Sequence, residues 1–237
     1  MLNTRGNKIT WLGHSAFRIT TASGKVILID PFLSGNPMCP EKEKKQPRVD
    51  AVLVTHGHGD HVGDTLELSR QHKPAIVCIY ELSLWRESKG ATNVVCMSKG
   101  GTTKVADADV TMTHAFHSSS ASDGGKHIYV GEPAGFIVRL PGGLTLYHAG
   151  DTCVFGDMKL IAELYQPEVA CLPIGDFYTM GPREAAHAIR LLGVKHFLPM
   201  HYATFPPLTG RPAHVREHTR DIPGLEIHEL KPGESLG

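Results

Sequence analysis

The sequence predicts an α/β fold closed as one domain over residues 1–237, and three observations predict it. Short runs of β-branched and apolar residues alternate with stretches of helical spacing. At 237 residues the chain can bury a full core without dividing, and no linker, internal repeat or low-complexity segment interrupts it. Four times a potential ligand side chain stands just beyond a predicted strand end, where open α/β folds tend to place their sites.

The first elements are strands over residues 9–19 and 25–29, joined by Thr21-Ala22-Ser23-Gly24 as a hairpin turn. Gly13-His14-Ser15 interrupts the first strand; His14 reads either as a satisfied structural histidine or as a substrate-facing group. Asp30-Pro31 ends the second strand, because proline has no N–H for the ladder. Residues 33–49, with the run Glu41-Lys42-Glu43-Lys44-Lys45, read as a solvated loop. A strand over 51–55 follows, and then a helix over 62–72, with Val62, Leu66 and Ser69 at helical spacing.

Between these two lies the densest chemistry in the chain, Thr55-His56-Gly57-His58-Gly59-Asp60-His61. Three imidazoles and a carboxylate at this spacing are donors suited to a borderline divalent metal, and the glycines let the backbone turn sharply enough to aim them. The segment is internal and flanked by apolar residues, unlike an expression tag.

Strands at 75–79 and 94–97 with a helix near 82–89 read as scaffold. In the strand at 110–115, period two puts His114 on one face and leads to His117 on the other, so only one of the pair faces the site. Residues 118–127, polar and glycine-rich, read as a mobile loop and candidate lid. A second hairpin, 134–140 with 144–148, ends in Ala149-Gly150-Asp151-Thr152, where Asp151 is placed either to ligate or to cap a following helix. A strand at 169–173, a helix at 182–192 opened by proline and a strand at 196–200 follow, the last running directly into His201-Tyr202. A short basic helix carrying Arg211, His214, Arg216, His218 and Arg220, and a strand at 225–230, complete the pattern.

The signature of residues 55–61 at a strand end resembles that of the metallo-β-lactamase superfamily. Trp11-Leu12-Gly13-His14-Ser15, Ala115-Phe116-His117-Ser118-Ser119, Ala149-Gly150-Asp151-Thr152, Pro173-Ile174-Gly175-Asp176, Thr179-Met180-Gly181-Pro182 and residues 199–206 extend the resemblance over nearly the whole chain. They narrow it to metal-dependent hydrolases similar to the ascorbate-6-phosphate lactonases. This resemblance implies a four-layer αββα sandwich with a two-metal site along one edge. His56, His58 and His117 would hold the first ion, Asp60, His61 and His201 the second, and Asp151 would bridge them. Several of the antibiotic-hydrolysing members lack such an aspartate, so the name is a poor guide to the substrate.

Two divalent ions about 3.5–4 Å apart lower the pKa of a shared water towards ~7 and supply hydroxide at neutral pH. Zinc suits the donors best, and manganese, iron and nickel are compatible with them. The net positive centre favours a small anionic ester, lactone or phosphoester. Besides Asp60 in the centre itself, His14, Asp176 and Tyr202 are candidates for protonating the leaving group, while His114 and His148 are expected to orient ligands or pack.

Charge offers no alternative: 24 basic and 24 acidic residues cancel, so no nucleic-acid or membrane-surface binding is expected. A phosphodiesterase or nuclease using the same metals, and a protein that binds anions without turnover, are the competing readings; salt-sensitive RNA binding or ligand binding without product would reveal them. The five cysteines show no Cys-x-x-Cys pairing, and the polar N-terminal stretch has no apolar leader. Both point to a soluble, cytoplasmic protein. A homo-oligomer is compatible with the analogy.

Overall fold

The computed structural model describes residues 2–237. Strands β1 (Lys8–Gly13), β2 (Ala16–Thr20), β3 (Val26–Ile29), β4 (Ala51–Leu53), β5 (Ala75–Ile79) and β6 (Val94–Met97) form the first large sheet. β7 (Thr102–Val105), β8 (Ala108–His114), β11 (Ala134–Arg139), β12 (Thr145–His148), β13 (Val169–Pro173), β14 (His196–Met200) and β15 (Glu226–Ile227) form the second. β9 (Ser120–Asp123) and β10 (Lys126–Tyr129) make a separate hairpin, and β16 (Ser235–Leu236) returns to pair antiparallel with β1.

Each sheet is antiparallel on one side and parallel on the other. β1 to β3 are antiparallel, then β3 to β6 parallel; β7, β8, β11 and β12 are antiparallel, then β12 to β15 parallel. β4 and β13 are buried along their whole length. That is why the apolar run Ala51-Val52-Leu53-Val54 shows no alternation in sequence: a strand covered on both faces needs none. The core lies between the sheets, with Phe17, Phe136, Tyr147 and Phe197 among its largest fully buried side chains.

Helices cover the outer faces. α4 (Tyr80–Ser88) packs on β5 and β6, and α6 (Pro182–Leu192) packs on β13, between α5 (Met158–Tyr165) and α7 (Pro212–His218). α6 shows why the sequence marks its ends: Pro182 opens it, Gly193 closes it in the left-handed conformation, and Ala185, Ala188, Ile189 and Leu192 form its buried stripe.

Several elements differ from the sequence pattern. The strand expected over 9–19 is two antiparallel strands, because His14 takes a left-handed conformation (φ 54°) that reverses the chain. The helix expected over 62–72 is split into α2 (Gly59–Val62) and α3 (Thr65–His72) at Gly63, which presses against the backbone of Pro31 and Phe32. A helix of four residues, α1 (Glu41–Lys44), interrupts the charged loop. Residues 118–127, expected as a lid, contribute most of the β9–β10 hairpin instead.

At the edge away from the candidate site, Asp50 ties three strands together. Its backbone N–H donates to Val26 O and its carbonyl accepts from Ala75 N–H, while its carboxylate accepts from Val26 N–H (2.9 Å) and Arg48 (2.7 and 2.8 Å). Burial pushes its pKa up, but Arg48, the Val26 N–H and Lys25 outweigh this and bring it to about 2. The folded value lies below the unfolded one, so the stabilisation is complete above the unfolded pKa and is lost as pH falls through the folded pKa. Denaturant melts should therefore show Asp50→Asn less stable than wild type by a constant amount from about pH 7 to 5, and by a shrinking amount from about pH 4 to 2. A difference that ignores pH would contradict this assignment.

Candidate metal centre

Strands of both sheets end along one edge, and their following residues build the site. β1 leads to His14, β3 to Asp30, and β4 to residues 55–61; β8, β12 and β14 lead to His117, Asp151 and His201. Two glycines make the approach of these loops possible. A Cβ on Gly57 would overlap Val130 and the Ser120 backbone, and Gly150, at φ 64°, lies against Ala134 O and Thr55.

All seven expected ligands are brought together. Donor atoms of His56, His58 and His117 lie within 4.8 Å of one another, as do those of His56, His61 and Asp151, and those of Asp60, His61 and His201 together with His14. Asp151 is the pivot: its Oδ2 lies 3.1 Å from His61 Nε2, 3.0 Å from His201 Nε2 and 3.7 Å from His117 Nε2. His61 Nε2 and Asp151 Oδ1 are buried without a hydrogen-bond partner. Buried polar atoms are rarely left so, and a cation among these donors would satisfy both. The donor set therefore fits divalent metal.

The electrostatics agree. Burial pushes His56 well below its ordinary range, and pushes His58 and His117 down as well, which keeps them in the neutral form that ligates. At His61 burial acts in the same direction, but Asp151, Asp30 and Asp60 outweigh it and raise the imidazole well above its usual range. These three carboxylates favour positive charge at that point, whether a proton on Nε2 or a metal ion. Asp151 stays anionic: His201 and His61 overcome the upward push of its burial.

A supporting layer aims the donors. Asp30, fully buried, accepts from Thr55 N–H (2.8 Å), the Thr55 hydroxyl (2.7 Å) and His61 Nδ1 (2.7 Å). A carboxylate only accepts here, so His61 donates from Nδ1 and turns Nε2 towards the centre. His148 holds the turn before Asp151, donating from Nε2 to Ser15 O (3.0 Å) and accepting the Gly150 N–H at Nδ1 (3.2 Å). Ser119 Oγ accepts the Gly57 N–H (3.1 Å), so the segment after His117 buttresses the histidine loop. His114 is turned elsewhere, against Lys99 and the rings of Phe116 and Phe155.

A cavity of about 630 Å³ opens over the centre, lined by His58, Asp60, His117, Ser118, Asp151, Tyr178, His201 and Phe205. His14, Asp176 and Tyr202 are outside this lining. His14 is fully buried behind Asp60: its Nε2 donates to Asp60 Oδ2 (3.0 Å), and its Nδ1 pairs with the Thr204 hydroxyl (2.9 Å). Burial, against the pull of Asp60, lowers its pKa to about 4. Tyr202 stacks on Trp11 (5.3 Å between centroids), and burial pushes its phenol up to about 12. Asp176 is exposed and accepts the N–H of Phe177 (2.8 Å).

Asp30, Thr204, Tyr178 and Phe205 were not singled out by their sequence context. For Asp30 a signal exists: an aspartate directly after the apolar run Val26-Ile27-Leu28-Ile29, at a strand end beside the histidine loop.

Two mixed sheets with a histidine–aspartate centre along one edge define a metallo-β-lactamase-type protein. The model of the β-lactamase superfamily domain matches residues 25–202. A metal-dependent hydrolase of Koribacter versatilis is 50% identical over 234 residues, covering 99% of both chains. One from Rubrobacter xylanophilus is 52% identical over 234 residues, covering 98% of this chain and 97% of the other. Among solved structures, Igni18, a metallo hydrolase from the archaeon Ignicoccus hospitalis, matches with a TM-score of 0.85 and 35% identity over 97% of each chain. The chain belongs to the UPF0173 metal-dependent hydrolase family of this superfamily.

Replacing Asp30 by Asn puts an N–H donor beside His61 Nδ1 and favours the tautomer protonated on Nε2, the wrong nitrogen for ligation. Competition with a chromogenic chelator should show metal affinity reduced about 10- to 100-fold. An unchanged affinity in folded protein would remove Asp30 from this role.

Proposed function

We propose that this metal-dependent hydrolase acts on a small ester, lactone or phosphoester through two divalent ions, zinc foremost. The observation that carries this reading is the position of Asp151 Oδ2, on which His61, His117 and His201 converge from two donor clusters at the cavity floor. His56, His58 and His117 would hold one ion, Asp60, His61 and His201 the other, and Asp151 both. Bound there, two such ions provide Lewis acidity towards the substrate and acidify a water to a pKa of about 7.

The remaining work falls to the chain. His14 ties Asp60 Oδ2, and Thr204 fixes the far side of the His14 ring, so the Asp60 carboxylate is held from behind. Buried walls on that side keep solvent from the ligands, while the open side admits the substrate. Among the described residues the cavity lining contains no lysine or arginine. An anionic or polarised reacting group would therefore find its positive charge at the metals alone. Ser118, Tyr178 and Phe205 are the lining residues outside the ligand set, and they suit a substrate whose remaining part is flat or apolar and bears at most a hydrogen-bonding group. Tyr178, unlike Tyr202, lines the cavity.

A metal-reconstituted screen over lactones, thioesters and phosphoesters tests the reaction. His56→Ala and Asp151→Ala should each lower metal-dependent turnover at least ~1,000-fold, an estimate in keeping with loss of metal catalysis; full turnover by metal-free Asp151→Ala protein would refute the proposal. Phe205→Ala and Tyr178→Ala should instead raise KM about 10-fold for substrates with an apolar group and leave kcat within about threefold. Equal effects on substrates with and without that group would exclude the two rings from recognition.

A further inference from the structure

A second set of metal-ligating side chains lies at the other end of β14. His196 opens that strand and pairs in parallel register with Glu226, the first residue of β15. His228 follows two positions after Glu226, and its backbone N–H donates to Phe197 O (2.8 Å). Alternation along β15 puts the side chains of residues 226 and 228 on the same face, beside His196. Two histidines and a glutamate, one of the histidines about 30 positions from the other two residues, are thus gathered by strand pairing.

Their donor atoms are close. His196 Nδ1 lies 3.1 Å from His228 Nε2, and Glu226 Oε2 lies 3.7 Å from the first and 3.9 Å from the second. The point equidistant from the three corners of such a triangle is about 2.1 Å from each, which matches zinc–nitrogen and zinc–oxygen bonds of ~2.0–2.2 Å. All three residues are half-buried, so the site is fixed by the sheet and still open to solvent on one side.

We propose that His196, His228 and Glu226 form a second, non-catalytic site for a borderline divalent cation such as zinc, with water completing its coordination. The four-residue advance from His196 to Met200 and then to His201 separates it from the candidate catalytic centre by about 16 Å of strand. Its physical effect is to clamp the two-residue strand β15 onto β14, a pairing otherwise held by few backbone bonds.

The test titrates the metal-free full-length protein with Zn²⁺ by calorimetry and counts bound ions by elemental analysis after gel filtration. Wild type should retain one more ion per chain than His228→Ala and than Glu226→Gln, with turnover unchanged in both variants. In an Asp151→Ala background, whatever the remaining ligands of the catalytic centre retain, adding His228→Ala should still lower the bound Zn²⁺ by one per chain. This second arm separates the proposal from the catalytic reading, which it does not require. Equal stoichiometry in wild type and in folded Glu226→Gln protein would overturn it. Binding detectable only at millimolar Zn²⁺ would overturn it as well, reducing the trio to a hydrogen-bonded histidine pair beside a carboxylate.

Discussion

The Asp151 carboxylate joins the two large sheets at the edge where their strands end. His61 comes from the short helix α2 that follows β4 in one sheet and His201 from the end of β14 in the other, and both reach the same Oδ2 atom. Burying a carboxylate and several imidazoles is costly unless opposite charges and hydrogen bonds are supplied in place. That requirement fixes how the sheets align along this edge: a shift of one residue at either strand would turn a ligand into the core and leave a buried charge unpaired. The apolar residues between the sheets supply the attraction; the centre supplies the register.

Among the described residues, six of the twelve non-glycine positions with positive φ lie around the same edge. His14, Asp30, Asp176, Phe177, His201 and Ala203 all adopt positive φ without being glycine. Each such residue costs about 1–3 kcal/mol, and the structure retains them only where neighbours over-determine the conformation. His201 shows how: its N–H donates to His14 O (3.0 Å), and its ring lies 4.1 Å from that of His14. Among the expected ligands His201 itself takes this conformation and Gly150 takes it directly before Asp151, so at these two strand ends the left-handed turn and the placement of the side chain go together.

Much of this was legible in the sequence, for a definite reason. His56, His58, Asp60 and His61 declare themselves by mutual spacing, and His117, Asp151 and His201 by standing just past apolar strands. α6 was equally plain, since proline, glycine and an apolar stripe mark both its ends and its buried face. What could not be read depends on approach across space. Asp30 gains its role only because β3 pairs with β4 and brings Thr55 and His61 within reach. Thr204 matters through a ring 190 positions away. The break between α2 and α3 follows from the contact of Gly63 with the backbone of Pro31 and Phe32, which no local pattern announces. Likewise the polar composition of residues 118–127 suggested mobility, whereas cross-strand pairing in β9–β10 orders most of them.

The strand β16 bears on how the molecule comes to be folded. Ile9 pairs with Leu236 and Thr10 with Ser235, so the outer edge of β1 is completed by residues more than two hundred positions downstream. Loop closure over such a span precedes any gain from the contact, and folds rich in distant pairings form slowly. Until that closure β1 presents unpaired N–H and C=O groups beside apolar side chains, the arrangement that invites pairing with another chain. The kinetic hazard of this protein is therefore set at the strand that leads to His14, and protection of β1 amides during refolding marks the moment when the risk of misassociation ends.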